Sequence, residues 1–107
     1  MAVVAAIALG LPISASASVR LVNVTSPASA GSTATLVAKV SVRATCSITV
    51  VYKSGPSVAQ GLYPKRVSAD GRVSWSWRVG TRTTPGRWPI IVSCGRAGTL
   101  RTSFVVL

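Results

Sequence analysis

Apolar and polar residues alternate with a period of two in four segments of this chain, and this pattern constrains the fold most. The apolar positions are Leu36, Ala38, Val40 and Val42; Cys46, Ile48, Val50 and Tyr52; Val73, Trp75, Trp77 and Val79; and Trp88, Ile90, Val92 and Cys94. Successive side chains of a β-strand point to opposite faces, so each segment is predicted to be a strand with one buried face. The many Val, Thr and Ser residues and the absence of Glu also favour strands over helices.

Turn-forming residues separate these segments. They occur at Ser54-Gly55-Pro56-Ser57, Asp70-Gly71 and Thr84-Pro85-Gly86. Further strands are predicted at Val19 to Val24, near Gly61 to Val67 and at Thr99 to Val106, which makes about seven in all. Short strands separated by turns at regular spacing are typical of an antiparallel β-sandwich. Asp70 and Gly71 are therefore assigned to a turn, where Asp accepts backbone N–H bonds and Gly allows unusual backbone angles.

Cys46 and Cys94 are the only cysteines, and both fall on the apolar face of their own segment. In an exported protein such a pair predicts one disulfide, whose connectivity is unambiguous. Closing a loop of about fifty residues stabilises the fold by ~4 kcal/mol on the chain-entropy estimate. A metal site is not expected, because two lone cysteines without His or a CxxC motif cannot complete a tetrahedral set.

The N-terminal segment, 1–17, has the character of a signal peptide. An apolar run from Ala2 to Leu11 is followed by Pro12 and by small residues at Ala15 and Ala17, where signal peptidase would cut. A transmembrane anchor is the alternative, but a span needs about 20 apolar residues. The sequence thus predicts a secreted, extracellular protein with one domain at 18–107 and no transmembrane span in the mature chain.

The charge balance excludes most catalysis. The chain has twelve Lys and Arg, one acidic residue (Asp70) and no His, for a formal net charge of +11. General acid–base catalysis and hydrolytic metal sites are built mainly from His, Asp and Glu. We therefore expect no enzyme activity, no catalytic residues, no metal and no cofactor; Ser–Lys catalysis stays a formal alternative.

The three tryptophans are predicted to be core residues. Trp75 and Trp77 share a face with Val73 and Val79, which favours packing in the core over an exposed platform for sugars or bases. Trp88 heads the face that ends at Cys94 and is assigned to the core for the same reason.

The cysteine, tryptophan and Pro-Gly framework resembles that of small secreted bacterial immunoglobulin-like domains. The residues that carry the resemblance are Cys46-Ser47-Ile48-Thr49-Val50, Tyr52-Lys53-Ser54-Gly55-Pro56-Ser57, Ala69-Asp70-Gly71-Arg72-Val73-Ser74-Trp75-Ser76-Trp77, Val79-Gly80-Thr81, Pro85-Gly86, Trp88-Pro89-Ile90 and Cys94. The resemblance implies an immunoglobulin-like sandwich, a bridge between Cys46 and Cys94, an accessory or adhesive role and no catalytic residues. It departs from antibody domains in one respect, because the first Cys opens a strand and the tryptophans lie after it on a later strand.

The basic residues are the candidate binding site. If the second and fifth predicted strands are neighbours, as in immunoglobulin-like sandwiches, they form a basic stripe that Lys65 and Arg66 extend. The stripe consists of Lys39, Arg43, Arg72 and Arg78. Such a surface attracts anionic polysaccharide or cell-wall polymer and has nonspecific affinity for nucleic acid. The alternative is a solvated surface that only keeps the protein soluble.

The sequence therefore predicts a non-catalytic, secreted, immunoglobulin-like binding or structural module that contacts anionic cell-surface or extracellular polymers. Two alternatives stay open. The first is a secreted cationic effector that acts on membranes or nucleic acid. The second is a spacer domain appended to a larger extracellular protein.

Overall fold

The computed structural model describes residues 18–107, and this part of the chain forms eight β-strands and one short 3-10 helix, Gly95–Ala97. The strands are β1 Val19–Val24, β2 Thr33–Val40, β3 Thr45–Tyr52, β4 Gly55–Pro56, β5 Lys65–Arg66, β6 Arg72–Arg78, β7 Gly86–Ser93 and β8 Thr99–Val106. The predicted signal peptide, residues 1–17, lies outside the described residues.

The strands form two sheets in which neighbours run antiparallel. The first sheet has the order β1-β2-β6. The second has the order β4-β3-β7-β8, and the two-residue strand β5 also pairs with β3. Apolar side chains from both sheets form one buried cluster. The predicted all-β antiparallel sandwich is therefore confirmed.

The period-two alternation corresponds to burial along β2, β3, β6 and β7. Leu36, Val50, Trp75 and Ile90 are fully buried, for example, while polar neighbours on the same strands face outward. The exceptions are Tyr52 and Trp88, which are half-buried, and Val42, which is 37% exposed.

Strand β2 ends earlier than its alternation predicts. It ends at Val40, and the N–H of Ser41 then donates to the carbonyl oxygen of Ser18 at 3.0 Å. The prediction that placed Val42 and Arg43 on this strand is therefore wrong, because the backbone leaves the sheet before either residue.

The disulfide is present, and it joins two neighbouring strands of one sheet. Ser47 on β3 is opposite Ser93 on β7, so Cys46 and the residue after β7, Cys94, are cross-strand neighbours with their Cα atoms 4.1 Å apart. Both cysteines are fully buried. The predicted pairing is confirmed, and the bridge fastens β3 to β7 without linking the two sheets.

The connection between β4 and β6 covers the free edge of the first sheet. Of the predicted strand near residues 61–67, only β5 is extended. Gly61, with a φ of +95°, lies so close to β6 that a Cβ atom would overlap the carbonyl oxygen of Ser76. The indole N–H of Trp75 holds the same connection by donating to the carbonyl oxygen of Tyr63 at 2.8 Å. The unpaired backbone groups of an edge strand can pair with a strand of another chain, and this packing limits such pairing.

The segment after β1 crosses from the first sheet to the edge of the second. Ala28 forms a parallel bridge with Val106 on β8. Its N–H donates to the carbonyl oxygen of Val105 at 2.8 Å, and its own carbonyl oxygen accepts the N–H of Leu107 at 2.9 Å. The start of the described chain is therefore hydrogen-bonded to both sheets.

Candidate polyanion-binding surface

Three cations lie side by side across the outer face of the first sheet. Strands β2 and β6 are neighbours, and Lys39 is directly opposite Arg72 on β6 and Arg20 on β1. Residues directly opposite each other in a sheet point to the same face, and neighbouring strands are about 4.8 Å apart. Lys39 alternates with the buried Ala38 and Val40, so this face is the outer one. We call Arg20, Lys39 and Arg72 the cationic row.

A shallow groove of about 440 Å³ continues the cationic row beyond the edge of β6. Its polar lining comes from Lys65, Arg66, Ser68, Asp70, Arg72 and Ser74. The ammonium group of Lys65 donates to the carbonyl oxygen of Ser74 at 3.0 Å and lies 5.3 Å from the centre of the Tyr63 ring. Lys65 is thus fixed against β6 and lines the same groove as Arg72. The row and groove together form what we call the basic face.

Asp70 is the one carboxylate at the basic face, and it is engaged in its own turn. Its Oδ1 accepts hydrogen bonds from the hydroxyl of Ser68 and, at 3.3 Å, from the N–H of Arg72. Its Oδ2 is 3.9 Å from Nε of Arg72, and both side chains are exposed. These contacts, first the Ser68 hydroxyl and then the backbone of Arg72, lower the pKa of Asp70.

Gly71 completes this turn with a φ of +83°. Side chains with a Cβ atom rarely adopt such a backbone angle, so glycine is favoured here. The N–H of Gly71 donates to the carbonyl oxygen of Ser68 at 2.9 Å, and its own carbonyl oxygen accepts the N–H of Val40 at 2.8 Å. The turn is thereby attached to the end of β2, next to Lys39. Asp70 and Gly71 together position Arg72 at the start of β6.

The structure does not gather all the basic residues that the sequence placed in one stripe. Arg78 is opposite Thr33, at the far end of β6 from Arg72. A strand rises by about 3.3 Å per residue, so the two arginines are separated by about 20 Å along β6. Arg43 lies in the connection after β2 and lines a smaller groove with Ser68 and Gly71, at the same end of the sandwich as the basic face. Arg78 is therefore separated from the other members of the predicted stripe.

Arg20 is the member of the cationic row that the predicted stripe did not include. Its outward position follows from the alternation in β1, but its place beside Lys39 depends on the pairing of β1 with β2. A β-bulge between Leu21 and Asn23 also shifts that pairing. No signal in the sequence alone sets this register.

The tryptophans do not form a binding platform among the described residues. Trp75 and Trp77 are 0% and 2% exposed, and the indole N–H of Trp77 donates to the hydroxyl of Tyr52 at 3.2 Å. Trp88 is only half-buried at the margin of the core, with its indole N–H 2.8 Å from the carbonyl oxygen of Thr84. The exposed aromatic residue nearest the basic face is Tyr63, which is 58% exposed.

The described residues contain no group of three or more His, Cys, Asp or Glu side chains that could hold a metal ion. Between residues 18 and 107, no helix has the length and hydropathy needed to cross a membrane.

Comparisons with known proteins return little. No family model matches the chain, and no curated protein matches it in sequence. Among solved structures, a conjugative transposon lipoprotein from Bacteroides eggerthii is similar with a TM-score of 0.46 and 9% identity, over 86% of this chain and 97% of that one. The strands and sheets themselves define the class, a β-sandwich with one disulfide inside a sheet. The disulfide indicates an oxidising compartment, either extracellular or periplasmic.

Proposed function

We propose that this chain is a non-catalytic, immunoglobulin-like binding module of a secreted protein, and that its basic face binds anionic cell-surface or extracellular polymers. The observation that carries the proposal is the cationic row, in which the register places Arg20 and Arg72 on either side of Lys39. Like charges directly opposite each other in a sheet destabilise it. A polyanion laid across the row would relieve that repulsion.

The strand order supports the immunoglobulin-like assignment. In immunoglobulin sandwiches strands A, B and E share one sheet, and strands C, F and G share the other, with an extra strand C′ beside C in variable-type domains. The order β1-β2-β6 and β4-β3-β7-β8 has the same arrangement. The disulfide differs, because antibody domains bridge the two sheets and this chain bridges β3 to the end of β7.

The state of Asp70 supports a non-catalytic role. It is the only acidic side chain in the sequence, and its carboxylate is engaged by Ser68 and Arg72 in its own turn. General acid–base catalysis is built mainly from His, Asp and Glu, and the sequence offers no His and no second carboxylate side chain as a partner for Asp70.

Salt-dependent retention on heparin tests the proposal. Each cation that contacts a polyanion releases counterions, so the affinity falls steeply as salt rises. The exported wild-type protein should stay bound to heparin at about 0.15 M NaCl, as expected for several simultaneous ionic contacts. The triple variant Arg20→Gln, Lys39→Gln, Arg72→Gln should elute at clearly lower salt.

A control variant separates the basic face from net charge alone. Arg78, Arg96 and Arg101 are exposed and lie outside the basic face, so changing all three to Gln removes the same charge. If both triple variants elute at the same salt, the protein responds only to its net charge and the basic face is not a site. Elution of the wild type at trace salt would also refute polymer binding.

The cationic effector is the competing function, and the same protein distinguishes it. An effector of this kind should release dye from vesicles of phosphatidylglycerol at micromolar concentration, whereas the proposed module should leave them intact. The described residues offer no amphipathic helix, the usual device for inserting into a bilayer interface. A spacer would neither release dye nor bind heparin.

A further inference from the structure

A second cleft lies at the opposite end of the sandwich from the basic face. It has a volume of about 540 Å³ and lies between the β3–β4 turn and the β6–β7 turn. The side chains that matter for its chemistry are Tyr52 at the end of β3, Lys53 and Ser54 from the first turn, and Arg82, Thr83 and Thr84 from the second. Ligand sites typically have volumes of roughly 300 to 1,000 Å³, so the cleft is large enough for a small molecule.

Hydrogen bonds and aromatic packing fix the walls of this cleft, which we call the Tyr52 cleft. The N–H of Thr83 donates to the carbonyl oxygen of Gly80 at 3.1 Å, which closes the β6–β7 turn. The indole N–H of Trp88 fixes the other end of that turn through the carbonyl oxygen of Thr84 at 2.8 Å. Trp88 in turn packs edge-on against Tyr52, with ring centres 6.3 Å apart. A cleft anchored in this way loses little conformational entropy on binding.

The charged groups of the cleft are both cations without an acidic partner in the chain. Lys53 lines the cleft from the β3–β4 turn, and Arg82 lines it from the β6–β7 turn. The only acidic side chain, Asp70, precedes β6, whereas the cleft follows β6. At a rise of about 3.3 Å per residue, this strand holds the two apart by about 20 Å. No carboxylate side chain therefore reaches these two cations.

The hydroxyl of Tyr52 is also arranged as a donor. Its oxygen accepts the indole N–H of Trp77 at 3.2 Å, which leaves the hydroxyl hydrogen free to donate. Burial raises the pKa of Tyr52, so that hydrogen is retained at neutral pH. One phenol, one ammonium and one guanidinium thus line the same cleft.

We propose that the Tyr52 cleft binds a small organic oxyanion, a carboxylate or sulfate carried on a sugar-sized ring. The oxyanion lies between Lys53 and Arg82, where charge-assisted hydrogen bonds are strong and guanidinium geometry matches an oxyanion. The ring of the ligand packs against Tyr52. This site is separate from the basic face and does not depend on it.

A titration of the isotopically labelled, disulfide-bonded protein with D-glucuronate, followed by NMR, tests the proposal. Saturable shifts are expected at the backbone amides of Ser54 and Thr83, and D-glucose should give none. Lys53→Gln and Arg82→Gln should each weaken glucuronate binding about fivefold, as for a partly exposed ion pair. Tyr52→Phe tests the phenolic donor while keeping the ring.

Four controls decide the result. Arg96→Gln removes an exposed cation outside the cleft and should bind glucuronate like the wild type. Equal weakening by Arg96→Gln, or equal shifts with glucose, would overturn the proposal. Inorganic sulfate that binds as tightly as glucuronate would overturn the role of the ring. The triple variant of the cationic row should bind glucuronate normally, so a failure of either site is distinguishable from a failure of the other.

Discussion

The outer faces of the two sheets differ in which residues lie opposite their cations. In the first sheet Lys39 is directly opposite two arginines, Arg20 and Arg72. In the second sheet Arg87 is opposite Val105, and Arg101 is opposite Ile91, so neither arginine faces another cation. The second sheet avoids like-charge contacts that the first sheet contains. The proposed binding of a polyanion to the first sheet would offset the cost of these contacts.

The two sheets are also stabilised by different means. Strand β6 of the first sheet buries two indoles and holds the β4–β6 connection through Trp75. The second sheet is cross-linked by the disulfide between β3 and the end of β7. Each device can be removed separately, and the two effects can then be compared.

The largest effect is expected when the packing of the first sheet is broken. Trp75→Ala should lower the free energy of unfolding by about 5 kcal/mol, at the upper end of large-to-small core changes. It leaves a cavity and also frees the carbonyl oxygen of Tyr63. Urea unfolding measures the loss, and Trp88→Ala is the control, since a half-buried indole should cost less. Equal losses for the two variants would contradict the difference in burial.

Removal of the disulfide should have a slightly smaller effect on the free energy of unfolding. The Cys46→Ala, Cys94→Ala double variant should lose about 4 kcal/mol, because the unfolded chain regains the entropy of a long loop. Hydrogen exchange should increase most for amides shared by β3 and β7. A larger loss of protection in β2 and β6 than in β3 and β7 would contradict a stabilising role of the disulfide in the second sheet.

The smallest effect is expected when a cation is removed from the cationic row, and it tests the difference in charge pairing between the two sheets. Lys39→Thr should raise the free energy of unfolding by about 0.5 kcal/mol at low salt, because it removes two like-charge contacts. The gain should shrink in 1 M NaCl, where the Debye length is only about 3 Å. Arg101→Thr is the matched change in the second sheet and should give no such salt-dependent gain. The same gain in both variants would mean that the cationic row is not repulsive.

Much of the fold could be predicted from the sequence because side-chain alternation is a local property. The ends of β1 and β8 agree with the predicted strands at Val19 to Val24 and Thr99 to Val106, and the alternation placed both cysteines on buried faces. The location of the disulfide within one sheet was not predictable. It depends on which strands become neighbours, and alternation carries no such information.

The candidate site was predictable only in part, for the same reason. Lys39 and Arg72 were placed on outward faces by alternation, but the cationic row needs the register that sets Arg20 beside them. The separation of Arg78 follows from the length of β6. The position of Lys65 depends on a connection that folds against the sheet edge, where Gly61 approaches β6. These are long-range relations that no short segment encodes.

The crossing at Ala28 has a mechanical consequence. This segment runs parallel to the end of β8, and the two are joined by the bonds from Ala28 to Val105 and from Leu107 to Ala28. The hydroxyl of Ser26 adds a third bond by accepting the N–H of Val105 at 3.0 Å. Because the segments are parallel, a force that pulls the start and the end of the sandwich apart acts along both of them. It therefore loads these hydrogen bonds together, in shear, and does not break them one at a time. The sandwich is thus arranged to resist pulling between its two ends.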